Sequence, residues 1–181
     1  MGEYVQRCVC AAPLPITFAF VDDAARLPEW VIGVSAFTHT GGPNRGVESL
    51  WQMQISFGPM KRRIPLRCTE WTQNQLIIMR STSGRELRIE FRFAADTPTD
   101  TAVDIVVGYP EPEGAAERAL AAKLESLATV AMGRIAVRLR DRVAEQYSRS
   151  PRGNGPAATI FDGTGRAIVT GLGPTGERDG Q

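Results

Sequence analysis

Chemistry has few places to sit in this sequence. His39 is its single histidine, and the three cysteines are Cys8, Cys10 and Cys68. A Ser-His-Asp or Cys-His site would have to use His39, and no GxSxG elbow accompanies it. His39 precedes the Gly-rich run 41–46 and is expected to be exposed. Cys8 and Cys10 stand two apart in an extended run, a poor spacing for bridging each other, and no CxxC or Cys/His cluster occurs. Structural zinc is not expected. No Walker motif, and no GxGxxG after a strand, points to a nucleotide, so no cofactor is expected. Asp22 and Asp23 read as helix caps rather than catalysts. What remains are side chains able to hold or polarise a small molecule. Tyr109 is the most useful of them, because its hydroxyl can donate to a carbonyl or enolate. Trp30, Trp51 and Trp71 offer flat apolar surface, with core packing the expected role of Trp30.

Strand-like runs at 4–10, 34–38, 47–57, 62–71, 76–81, 86–93 and 101–109 must position these groups. Turn residues such as Gly58-Pro59 and Ser83-Gly84 separate several of them, which is the pattern of an antiparallel meander. Two short helices, at 15–21 and 23–30, follow the first strand. A long helix is expected over 114–145, where Leu120, Leu124, Leu127, Ala131, Ile135 and Leu139 form one apolar stripe. Its acidic start and arginine-rich end suit the helix dipole. The fold class is α+β. A curved sheet of about six to seven strands must hide one face, and the long helix is its main partner. One helix cannot fill so wide a face, so a cavity for an apolar ligand is expected between them.

Alternation proposes which side chains point into that space. Val47, Trp51, Met53, Ile55 and Phe57 make the apolar face of one run. Leu87, Ile89, Phe91 and Phe93 make that of another, and Val103, Ile105, Val107 and Tyr109 that of the last. The run 62–71 is ambiguous. Ile64, Leu66 and Cys68 share one face; Arg63, Pro65, Arg67, Thr69 and Trp71 share the other, and hydropathy alone puts Arg63 and Arg67 in solvent.

The 181 residues suit one domain plus a tail. Twenty-one basic and 20 acidic residues leave a charge of +1, which argues against a nucleic-acid-binding protein. The apolar fraction of 43% supports a real core. No apolar run reaches the ~18–20 residues of a membrane helix, and the first residues lack a signal-peptide layout, so a cytoplasmic protein is expected. Arginine outnumbers lysine 19 to 2, a bias of GC-rich bacterial genomes. Composition breaks near Ser148: the last 34 residues hold eight Gly and three Pro. Residues 1–147 are therefore read as the domain and 148–181 as a Gly/Pro-rich, flexible tail. The apolar patches at 159–161 and 167–169 could still close a short hairpin, and the tail could engage a protein partner.

The segment Ala11-Ala12-Pro13-Leu14-Pro15-Ile16-Thr17-Phe18-Ala19-Phe20-Val21-Asp22-Asp23, through Leu27-Pro28-Glu29-Trp30, resembles the opening of the START-related polyketide cyclase/dehydrase and lipid-transfer (SRPBCC) superfamily. Gly46-Val47 before a strand, Thr101 opening the last strand and the long final helix also fit. The resemblance covers about residues 4–146 and implies a helix-grip fold, a curved antiparallel sheet around a long C-terminal helix. It says little about activity, because the family holds aromatase/cyclases, lipid carriers, receptors and stress proteins. Similarity to the aromatase/cyclases implies that the Arg67/Thr69/Trp71 face turns inward, with Arg80 on the next strand a like candidate. Arg67 or Arg80 would then stabilise enolate charge and Tyr109 donate a proton, in a cyclase/dehydratase-like (lyase-like) enzyme acting on a polyketide-like or aromatic precursor. Trp51, Met53, Thr69, Trp71 and Phe91 would line the ligand. The alternatives are a non-catalytic lipid or apolar-ligand carrier or sensor, and a partner-binding subunit.

Overall fold

The computed structural model describes residues 2–57, 60–111 and 114–149, with the backbone alone at 57, 60 and 116–127, and two short strands at 160–161 and 167–168. The chain divides into two units, Met1–Tyr147 and Ser148–Gln181.

In the first unit seven strands form one antiparallel sheet: β1 (Gly2–Cys10), β2 (Val34–Gly41), β3 (Leu50–Phe57), β4 (Met60–Thr72), β5 (Leu76–Ser81), β6 (Arg88–Ala95) and β7 (Thr101–Tyr109). Their spatial order is β1-β7-β6-β5-β4-β3-β2, so β2 to β7 are a continuous meander and β1 closes onto β7. Between β1 and β2 lie α1 (Leu14–Asp22), a 3₁₀ turn and α2 (Leu27–Trp30); α3 (Ala115–Arg149) follows β7. This is the helix-grip arrangement. The strand expected from Val47 begins only at Leu50, and Val47 is exposed.

The corner between β1 and α1 explains two threonines. The carbonyl of Ala12 accepts from the Thr17 hydroxyl at 3.2 Å and from the Thr101 hydroxyl at 2.8 Å, both buried. One backbone oxygen thus ties the turn, α1 and the start of β7 together, and Pro13 before α1 costs nothing because its N–H would be unsatisfied there anyway. Neither aspartate caps a helix with its side chain. Asp23 pairs with Arg26 at 2.9 Å, and Asp22 turns to the sheet instead.

The core lies on the concave side. Phe18, Phe20 and Val21 of α1, Leu27 and Trp30 of α2, and Met132, Ile135, Leu139 and Val143 of α3 pack there with the inward sheet residues. The α3 spacing of three and four places these four on one helical face. Of the expected stripe, Ile135 and Leu139 are buried and Ala131 half-buried; the side chains of Leu120, Leu124 and Leu127, like the Gly58-Pro59 turn, lie outside the described residues.

In the second unit Ile160–Phe161 pairs antiparallel with Ala167–Ile168, Ile160 opposite Ile168. Its remaining residues from 150 onward, on which the flexible-tail reading rests, lie outside the described residues.

Candidate functional site

The register builds a row of side chains across the concave side. Tyr109 of β7 stands opposite Gly2 of β1, and Leu87 follows one step beyond the Arg88–Gly108 pair. The Ser81 amide meets the Leu87 carbonyl, Leu66 opposes Ser81, Trp51 opposes Leu66, and His39 opposes Trp51. One step deeper, Tyr4, Val107, Ile89 and Met79 form a parallel row. Tyr4, Leu87, Ile89, Val107, Trp51 and Ile64 all pack against the core yet stay only partly buried. Apolar surface on the inner side of the sheet therefore remains accessible at this end.

Local packing fixes the two ends of the row. Tyr109 stacks on Tyr4 at 5.0 Å, directly over Gly2, where a Cβ atom would come within 2.6 Å of the ring. At the other end Trp51 stacks on Phe37 at 5.3 Å and meets His39 edge-on at 5.0 Å. Its indole N–H donates to Ser49 Oγ at 3.0 Å, which donates to the Gly46 carbonyl at 2.7 Å. His39 Nε2 lies 3.0 Å from the Pro43 carbonyl oxygen. The histidine expected in solvent is thus half-buried on the concave side. The expectation rested on the Gly-rich run that follows; β2 instead runs on through His39 to Gly41, and His39 opposite Trp51 stays in step with Phe37 opposite Met53.

Met53 and Phe91 point inward and are core residues, each 3% exposed, with Phe91 edge-on to Trp30 at 5.8 Å. Trp71 also points inward: it meets Phe18 edge-on and donates to Asp22 Oδ1 at 2.8 Å. Arg67 and Arg80, expected inward from the family likeness, stand on the convex face. Arg67 is 47% exposed and pairs with Glu48, and Arg80 is 42% exposed and pairs with Glu86. The cause is a β-bulge between Cys68 and Glu70, where one extra residue shifts the alternation. Leu66 and Cys68 before it and Trp71 after it then share the inner side, while Arg67 faces out. Thr69 sits in the bulge, its hydroxyl donating to the Ile78 carbonyl at 3.4 Å. The structure brings Trp51, Met53, Trp71, Phe91 and Tyr109 to the concave side and leaves Arg67 and Arg80 off it.

The convex face is ionic. Arg7 holds Asp104 through two bonds of 2.7 and 2.8 Å, and its guanidinium keeps the Asp104 carboxyl below the usual carboxylate range. Glu90, 2% exposed, is gripped by Arg88 and Arg92. On the inner side, burial and then nearby Asp22 push the Cys68 thiol up to about 11, which makes it a packing residue rather than a nucleophile.

Tyr109 and His39 stand five strand steps apart, roughly 24 Å along the sheet at ~4.8 Å per step. A small molecule cannot touch both, so these two groups do not form one acid–base pair. Among the described residues no cluster of three or more His, Cys, Asp or Glu is arranged to hold a metal. A hollow of about 480 Å³ lies along Ile32, Val130, Gly133, Arg134 and Val137. Helical spacing puts Val130 and Val137 on the α3 face opposite Met132, Leu139 and Val143, so this hollow is distinct from the concave row.

Solved structures share this architecture. A Thermus thermophilus protein matches with a TM-score of 0.68 at 15% identity, over 82% of this chain and 100% of that one. A START superfamily protein from Mycobacterium smegmatis matches at 0.63 and 12%, over 80% and 98%. The Zhui aromatase/cyclase from a Streptomyces species matches at 0.64 and 11%, over 85% and 99%. The fold is START-like, of the SRPBCC type. At these identities the likeness speaks for the fold and not for an activity. No protein-family model matches the sequence, and no curated protein matches it. No described helix is long and apolar enough to cross a membrane.

Proposed function

We propose that this chain binds an apolar small molecule against the concave side of its sheet. The observation that carries the reading is the partly buried apolar row, with Tyr4, Leu87, Ile89 and Val107 packed on the core yet open to a ligand. Binding sites of this kind combine apolar walls with a few polar groups that orient the ligand. Tyr109 supplies such a group at the end of the sheet where this row lies. The START superfamily and aromatase/cyclase neighbours share this fold, and the name aromatase/cyclase speaks of a small-molecule substrate for that neighbour.

The experiment is titration of the folded protein with an apolar environment-sensitive dye. Native mass spectrometry of gently purified protein would add the identity of any bound molecule. Ile89→Trp and Val107→Trp should fill the space and weaken the dye several-fold while thermal stability holds. Unchanged dye affinity in both variants would overturn the proposal.

A second reading, a cyclase/dehydratase-like enzyme, draws on one specific feature. The Tyr109 hydroxyl belongs to a half-buried side chain on the ligand side, stacked on Tyr4 and able to donate to a carbonyl. With Arg67 and Arg80 on the convex face, this reading rests on Tyr109 and on confinement of the substrate. Turnover lost in Tyr109→Phe with ligand affinity retained would favour it.

A further inference from the structure

β1 is an edge strand, and its outer side pairs with no strand among the described residues. The ladder fixes which of its backbone groups point outward. Phe93 donates to the Gln75 carbonyl and Ser81 to the Leu87 carbonyl, so the odd residues of β6 bond to β5. Its even residues then bond to β7, the odd residues of β7 bond to β1, and the even residues of β1 bond back. Glu3, Val5, Arg7 and Val9 are left with their N–H and C=O groups outward. The Arg7 carbonyl agrees, since it accepts from the Gln6 side-chain amide at 3.0 Å. The same four side chains stand exposed on the convex face, Val5 at 63%. Proteins usually blunt such an edge with proline, a bulge or dense charge. The opposite edge strand, β2, is broken by two register shifts. β1 instead runs nine residues in unbroken register, with no proline and with Val5 and Val9 exposed.

We propose that the outer edge of β1 pairs antiparallel with β1 of a second copy of this chain, about a two-fold axis at Val5. Outward residues must oppose outward residues, which leaves few registers. Centring on Val5 sets Glu3 against Arg7 of the second copy, Arg7 against its Glu3, and the two valines face to face. Centring on Tyr4 or Gln6 sets Glu3 against a valine, and centring on Arg7 opposes two like charges. Opposite charges directly across a strand pair are favourable and like charges are not, so the Val5 register wins. Glu3 and Arg7 already hold Arg88 and Asp104 within the chain, so the joint extends these ion pairs into a network. On the inner side Tyr4 falls opposite Gln6 of the second copy, next to the Tyr4–Tyr109 stack. A joint of two strand edges is small, so the dimer is concentration-dependent.

The test is sedimentation velocity of the full chain over a range of concentrations, with backbone hydrogen exchange read residue by residue. The parent should pass from monomer to dimer as concentration rises, and the Val5 and Arg7 amides should exchange more slowly in the dimer. Val5→Pro deletes an outward N–H and leaves the bonds to β7 intact. It should raise the dimer dissociation constant roughly tenfold or more, because the central bonds of the joint are lost. Val5→Lys opposes two like charges at the axis and should act in the same direction, a check that survives if Val5→Pro fails to fold. Thr38→Lys, at an exposed position of the β2 edge, should dimerise like the parent. A parent that stays monomeric at every concentration, a dimer that folded Val5→Lys leaves intact, or Val5 and Arg7 amides unprotected in the dimer would each overturn the proposal. Dissociation by Thr38→Lys would do the same, by moving the interface to the other edge.

Discussion

The indole N–H of Trp71 donates to Oδ1 of Asp22 at 2.8 Å, joining the bulged end of β4 to the last turn of α1. Arg45 forms an ion pair with the other oxygen of the same carboxylate, a charge contact without hydrogen-bond alignment. Three segments distant in sequence therefore converge on one side chain that is nearly out of solvent. Trp71→Phe keeps the ring contact with Phe18 and removes only the donor. It should cost about 1–2 kcal/mol in urea denaturation, because a buried oxygen loses its partner. Arg45→Ala should cost less than about 1 kcal/mol, since Arg45 is largely exposed. Equal costs would mean that the ion pair, not the indole, holds the junction.

Arg7 and Asp104 make the acid limb of stability predictable. Asp104 titrates below its ordinary value in the folded chain. A lowered carboxyl stabilises the fold fully above the unfolded value, near pH 4, and this is lost as pH falls through the lowered folded value. Arg7→Gln removes the cause of the shift. Denaturation midpoints taken from about pH 5 down to pH 2 should fall less steeply in the variant than in the parent. Parallel curves would show that Arg7 does not set the Asp104 titration.

Leu139 is fully buried at the centre of the α3 face that covers the sheet. Leu139→Ala should cost about 2–5 kcal/mol, the range for emptying a packed leucine site. Val137→Ala, on the opposite and exposed face, should cost about 0.5 kcal/mol or less. Similar losses from both would contradict the placement of α3.

The pattern of residues made much of this legible. Trp51, Met53 and Ile55, and likewise Ile89, Phe91 and Phe93, alternate with polar neighbours, and each set faces the core as its alternation demands. Around Cys68 the period-two pattern carries no record of the bulge. Hydropathy put Arg67 outward and Trp71 with it, while the family likeness put both inward; the bulge separates them. His39 reads as exposed because a Gly-rich run follows it, yet β2 continues to Gly41 and the pairing with Trp51 turns His39 inward. Glu90 shows a different gap. A carboxylate between two arginines reads as a solvated face, yet it is buried because Ile78 and Val106, its partners on the flanking strands, are themselves buried on the convex side. Such burial comes from neighbouring strands, which local periodicity cannot report.

Gly2 and Tyr109 offer a test that separates shape from chemistry at the ligand site. A methyl group on Gly2 would fall 2.6 Å from the Tyr109 ring, far inside contact distance, so the ring must move off its stack with Tyr4. Gly2→Ala thus reshapes one end of the concave row without removing a functional group. Tyr109→Phe does the reverse, keeping the ring and deleting the hydroxyl. If the row binds by apolar complementarity, Gly2→Ala should weaken the environment-sensitive dye several-fold and Tyr109→Phe should barely change it. Both changes lie at strand ends, so thermal melts should stay close to the parent. The opposite order, with Tyr109→Phe the more damaging, would show that the hydroxyl orients the ligand and would shift the balance towards an enzyme. Dye binding indifferent to both would place the ligand elsewhere on the sheet, away from the Tyr4–Tyr109 end.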